Sequence, residues 1–212
     1  MTGYVRDAAA LARKDLLLEL RGRDTLPAMA LFVVASLVAF RFALPDEQER
    51  AAQGLLWVAI VFTALLGLGR AFVPEREQGM LDALVLAPSD RSAIWVGKLV
   101  ATLVFLVLVE LVALPAFALF FGGVDGATLA AVALADIGIC AVGTLLAAMA
   151  VAGRARELLL PLLFLPVAIP IIVGGVGATV TDEPARYLAF LALYDAVFAI
   201  LAWATFEYVV AE

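Results

Sequence analysis

The sequence predicts an all-α membrane protein with six transmembrane helices, an amphipathic helix ahead of the first and a short helical segment between the second and third. Three observations carry that class. Of the 212 residues, 65% are apolar and only 16% charged, against about 45–50% and 25% in soluble domains, and the mean hydropathy is +1.07. The apolar residues fall in six runs, each about 20 residues or longer, which is the length a helix needs to cross a hydrocarbon core. The runs lack the alternation of barrel strands, and lipid satisfies no open backbone, so each run must be a helix.

The chain reads as a single transmembrane domain over 1–212. Residues 3–22 come first. Val5, Ala9, Ala12, Leu16 and Leu20 form one helical stripe, with Arg6, Arg13, Lys14 and Arg21 on one flank and Asp15 and Glu19 on the other. That pattern predicts a helix lying in the membrane interface; the alternative is a flexible basic leader that only enforces topology. The spans follow at 25–44, 54–73, 99–121, 127–152, 158–178 and 187–210, separated by short charged or glycine-rich breaks. The first apolar run starts after a charged stretch and is too long for the h-region of a cleavable signal peptide, so none is expected.

The connection 74–98 is the longest. Pro74 suits a helix start, with Glu75 and Glu77 in its first turn at the positive end of the helix dipole. Leu81, Leu84 and Val85 then make an apolar patch opposite Glu77 and Asp82. Ala87-Pro88 ends the helix, and Ser89-Asp90 offers N-cap chemistry to the next, which runs into the third span. Such a patch either receives a partner or packs on the protein's own membrane face.

Eleven of the fourteen Lys and Arg residues lie before the first span, in 74–98 and at its edges, or between the fourth and fifth spans; only Arg41, Arg50 and Arg186 fall on the other side. By the positive-inside rule both termini are cytoplasmic, in an inner or plasma membrane. Histidine is absent and there is one cysteine, which excludes a disulfide scaffold, a Cys/His zinc site, a His-based triad and a His-ligated haem within this chain. No phosphate-binding Gly-x-x-x-x-Gly-Lys-Ser/Thr motif occurs, so any ATP is hydrolysed elsewhere. An intramembrane enzyme is disfavoured for want of a Gly-x-Ser-x-Gly or metal motif, and no feature points to nucleic acid.

Three acids lie inside spans: Glu110, Asp136 and Asp195. A charge at mid-bilayer costs at least ~2.5 kcal/mol unless paired or protonated, so each should face protein. Asp136, Cys140 and Thr144 share a face, beside a small-residue stripe of Ala131, Ala135, Gly143 and Ala147 that allows close helix contact. The acids serve either a polar or proton pathway, as in a secondary transporter or channel, or hydrogen bonds that fix helix register. Cys140 reads as a packing residue. In the fifth span Pro161, Pro166, Pro170 and the glycines after them mark a hinge, a re-entrant segment or tolerated irregularity.

The stretch from Gly54 to Pro115, GLLWVAIVFTALLGLGRAFVPEREQGMLDALVLAPSDRSAIWVGKLVATLVFLVLVELVALP, and the opening KDLLLELRGRDTLPAMALF from Lys14, resemble the haem exporter protein B family, CcmB, of cytochrome c maturation. The resemblance extends over essentially the whole chain and is most specific from Arg70 to Lys98. It implies a fold similar to ABC-2 type exporters and a permease subunit that is not itself an enzyme. Its implied partners are a CcmA-like ATPase, a CcmC-like haem-handling protein, a CcmD-like small subunit and a CcmE-like haem chaperone, with two copies of the chain per complex. It further implies that no cofactor is resident in this chain: ATP belongs to the ATPase and haem to a partner. Carried over residue by residue, the ATPase-coupling element is Glu75, Arg76, Glu77, Gly79, Leu81, Asp82 and Leu84, followed by Pro88, Asp90 and Arg91. With no histidine to ligate iron, a motor acting on a haem-carrying partner fits better than a haem-binding pore.

Overall fold

The computed structural model describes residues 2–45, 49–77, 79, 90–152 and 156–211. Among these the chain forms eight helices and no strand: α1 (Thr2–Gly22), α2 (Thr25–Ala43), α3 (Glu49–Arg70), α4 (Val73–Glu77), α5 (Arg91–Phe121), α6 (Gly126–Ala152), α7 (Arg156–Val180) and α8 (Pro184–Ala211). Six of them, α2, α3 and α5 to α8, are long and apolar enough to cross a membrane. This is an all-α membrane protein.

The six spans are arranged around α6. Of its apolar stretch 61% is buried, against 17% for α2 and 22% for α8, so α6 is central and those two are peripheral. Its composition permits that position. Ala131 and Ala135 are fully buried, and Gly143 offers a flat surface on which the side chain of Leu68 from α3 seats. The same device joins other helices: the Trp57 ring of α3 lies on Gly175 of α7, and the Tyr187 ring of α8 lies on Gly177. Without a hydrophobic driving force between helices in lipid, these close contacts supply dispersion energy that bulkier residues would forfeit.

Side-chain caps fix two helix starts, the first at the Ser89-Asp90 signal. The Asp90 carboxylate accepts from Ser92 N at 2.9 Å, and Asp125 accepts from Thr128 N at 2.8 Å and Thr128 Oγ1 at 2.7 Å. Those hydrogen bonds, led by the one from the Thr128 backbone, hold the Asp125 carboxyl below its ordinary pKa.

The fifth span is one uninterrupted helix through Pro161, Pro166 and Pro170, with no re-entrant break; Tyr194 of α8 donates to Val167 O at 2.8 Å in its proline-rich part. Within the second span, which runs over Arg50–Glu77, α3 ends at Arg70 and a turn at Ala71–Phe72 precedes α4 at Val73. On α1, Val5 and Leu20 of the apolar stripe are 66% and 67% exposed, whereas Ala8, Ala12, Asp15 and Glu19 are buried. Most of the stripe therefore points away from the bundle, while its Ala12 and the flank that carries the acids face inward.

The 31 residues of α5 make a rod ~46 Å long, about half as long again as a hydrocarbon core. Its first turns lie at the end of the bundle where Arg70 lies; there Trp95 Nε1 donates to Ala141 O of α6 at 3.1 Å, and α1 packs along the same turns. The contact is close at Gly97, where a Cβ would fall 2.7 Å from Leu11 Cβ and 2.9 Å from the backbone oxygen of Ala8. After α1 the chain turns into α2 in two residues, Arg23 adopting φ 55°. Glu19 then stands in as the cap of α2, accepting from Thr25 N at 2.9 Å and Leu26 N at 2.7 Å.

Candidate functional site

Where α1, α4 and α5 meet, four charged side chains close on one another. Lys98 of α5 is 1% exposed and Glu75 of α4 is 0% exposed, and their Nζ and Oε1 atoms are 2.7 Å apart. Lys98 Nζ also reaches Asp15 Oδ2 of α1 at 2.9 Å and donates to Ala71 O at 2.5 Å. Lys14 of α1 pairs with the same Glu75 oxygen and, at 3.1 Å, with Asp15 Oδ1. Phe72 presents its ring 5.0 Å from the Lys98 ammonium. Two cations and two anions make the cluster neutral, and Lys98 finds three oxygen acceptors for its three protons. Burial opposes the charge on Lys14, but the hydrogen bond to Glu75 and the attraction of Asp15 outweigh it and hold its pKa above the ordinary lysine value.

This cluster ties together both ends of the connection after the second span. Glu75 and Ala71 stand before it and Lys98 after it, and α1 is bound to both through Asp15 and Lys14. A second link runs beside it, where Ser92 Oγ and Tyr4 Oη lie 3.2 Å apart. Of the ten residues expected to form the coupling element, Glu75 is inside the cluster, while Arg76, Glu77 and Gly79 are exposed beyond it. Gly79 has φ +64°, a left-handed turn that only glycine adopts without strain. Asp90 caps α5 and Arg91 is its first residue. Leu81, Asp82, Leu84 and Pro88 lie outside the described residues.

Sequence reasoning took Glu75 as a helix-dipole acid and Lys98 only as a topology charge. A signal was available, because Lys14 and Lys98 are the only lysines in the chain. Lys14 sits beside Asp15 in sequence, and both lysines end up in the same cluster.

The intramembrane acids form a separate layer. Counting from the helix ends at the face opposite Arg70, Glu110, Asp136 and Asp195 each lie about 15–17 Å deep, a similar level. The structure brings Glu110 and Asp136 close enough for their carboxyl groups to interact. Asp195 is not part of that pair: its carboxylate presses on Gly138, two residues from Asp136 and so on the other side of α6. Both Asp195 oxygens, one oxygen each of Glu110 and Asp136, and Thr144 Oγ1 are buried without a hydrogen-bond partner among the described residues. Cys140 is fully buried.

The CcmB protein family model matches residues 6–210. Among characterised relatives, heme exporter protein B of Rhodobacter capsulatus is 33% identical over 172 residues, covering 78% of this chain and 79% of the relative. Heme exporter protein B of Paracoccus denitrificans is 33% identical over 194 residues, covering 86% and 88%. The protein of the same name from Pseudomonas aeruginosa is 30% identical over 174 residues, covering 79% and 78%. A match that starts within α1 and ends within the last span takes in every helix described above, and on that extent the chain belongs to the CcmB family.

Proposed function

We propose that this chain is the permease subunit of an ABC-type transporter in cytochrome c biogenesis, lying in the bacterial inner membrane with both termini cytoplasmic. In this reading a separate CcmA-like ATPase docks on the connection after the second span. The subunit converts ATP hydrolysis into haem delivery, or release of a CcmE-like haem chaperone, at the periplasmic side. CcmC-like and CcmD-like proteins complete the assembly, with two copies of this chain. Haem is the cargo and stays with a partner, and this chain performs no catalysis. Family membership supports the assignment, and one observation supports the coupling: the Glu75–Lys98–Asp15 cluster makes a rigid junction of the two ends of the docking connection and α1. A push on that connection is therefore delivered to the start of α5 and to α1 together.

Leu81→Asp and Leu84→Asp each put a charge on the apolar patch of that connection. Both variants are expected to lose co-purification of the ATPase subunit while remaining monodisperse in detergent. Undiminished pull-down by both would sink the coupling assignment.

The Glu110–Asp136 contact favours a second reading, in which intramembrane carboxyls take part in transport by this chain itself. The pair Glu110→Gln and Glu110→Leu separates it from helix packing, since Gln keeps volume and a donor but cannot titrate. If the contact only fixes register, Gln behaves as the parent and Leu lowers the thermal midpoint, through an interaction worth about 0.6–2 kcal/mol. That is the expected outcome. A Gln variant that assembles with the ATPase yet cannot mature cytochrome c in cells would show the titrating carboxyl to be essential.

A further inference from the structure

A cleft of about 1010 Å³ opens beside the ion cluster, between α1 and the ends of α3, α5, α6 and α7. That is the size of a large small-molecule site, about 300–1,000 Å³. Its lining is graded. Toward the end of the bundle the rim carries Arg21, Asp24, Arg70 and Glu77; deeper, at span level, the walls include Leu66 and Phe105. The four rim side chains are exposed, and none has an ion pair or hydrogen bond among the described residues. Asp15, Glu19 and Lys98 also line the cleft, but their charges are taken up by the cluster and by the cap of α2. Leu66 is 43% exposed, so the apolar part of the cleft opens sideways toward lipid.

We propose that this cleft is a binding site for a zwitterionic phospholipid of the phosphatidylethanolamine type. The polarity gradient of the site runs in the same order as that of a lipid. The rim offers free charge of both signs: two arginines for the phosphate and two carboxylates for the primary ammonium. An anionic headgroup such as phosphatidylglycerol would satisfy the arginines but face Asp24 and Glu77 with no cation to offer them. A quaternary choline headgroup carries no N–H to donate to the carboxylates. The acyl chains continue along Leu66 and Phe105 into the bilayer. The inference rests on the six-span fold and not on ATPase coupling, so loss of either reading leaves the other standing.

The test is native mass spectrometry of the purified chain offered equal amounts of phosphatidylethanolamine, phosphatidylglycerol and phosphatidylcholine. Retention of phosphatidylethanolamine over each of the others by roughly fivefold is expected, the scale of one headgroup–charge contact. Arg21→Gln with Arg70→Gln should reduce retention of all three. Asp24→Asn with Glu77→Gln should remove only the preference for phosphatidylethanolamine. All four positions are on the surface, so neither double variant threatens folding. Equal retention of the three lipids, preference for phosphatidylglycerol, or unchanged phosphatidylethanolamine binding in either double variant would overturn the proposal.

Discussion

Lys98→Met is expected to lower the stability of the isolated subunit by about 3 kcal/mol, near the lower end of what breaking a buried ion pair costs. The side chain is only 1% exposed and holds Glu75, 0% exposed, at 2.7 Å and Asp15 at 2.9 Å. Methionine matches its length but leaves two buried carboxylates sharing one remaining cation, Lys14, whose own side chain is 32% exposed. That surviving pair keeps the cost near the bottom of the range. In a chain of this size the loss corresponds to a thermal-midpoint drop of roughly 6–12 °C, measurable in nanodiscs. Adding Glu75→Gln removes one uncompensated charge and should recover part of the loss. The double variant also separates stability from transmission. If the cluster merely holds the fold together, restored stability should restore cytochrome c maturation; if it carries motion from the docking connection, the double variant should be stable and inactive. A Lys98→Met protein that melts within a degree of the parent would refute the account of the cluster.

The parts of this fold that were legible in the sequence are those the bilayer itself dictates. Six apolar runs gave six spans because hydrocarbon sets a minimum length and demands internal hydrogen bonding, and Asp90 announced its helix because capping is a local act. Which face of α1 packs on protein was not legible, for a physical reason. Periodicity shows that a helix has two faces, but not which solvent each one meets, and at a membrane surface an apolar stripe can point at lipid while a polar one packs on protein. Val5 and Leu20 took the first course, Asp15 and Glu19 the second. Lys14 and Glu75, paired, are 61 residues apart in sequence, and no local pattern encodes a contact of that span. The proximity of Glu110 to Asp136 was likewise hidden, although the requirement that each face protein was not.

Gly97→Val is expected to detach α1 from α5 while leaving the six spans assembled. An added Cβ at this position meets Leu11 Cβ at 2.7 Å and the Ala8 carbonyl oxygen at 2.9 Å. Neither is the far end of a flexible side chain; both belong to the body of α1. Ordinary carbon–carbon contact needs about 3.5–4.0 Å, so even Gly97→Ala obliges α1 to withdraw by about 1 Å, and the branched valine obliges it to withdraw further. The neighbouring residue is Lys98, whose bond to Asp15 of α1 cannot stretch by that amount and persist. Overpacking of this kind costs typically 1–3 kcal/mol, to which loss of the α1 ion pairs adds. The readout is a cysteine placed at Ala12, which is 6% exposed against α5. With Gly97 intact, Ala12→Cys should resist a membrane-impermeant maleimide; with Gly97→Val it should label promptly, while size-exclusion behaviour stays unchanged. Equal protection in both backgrounds would mean that α1 is held by something other than this contact, and the coupling route through Asp15 would fall with it.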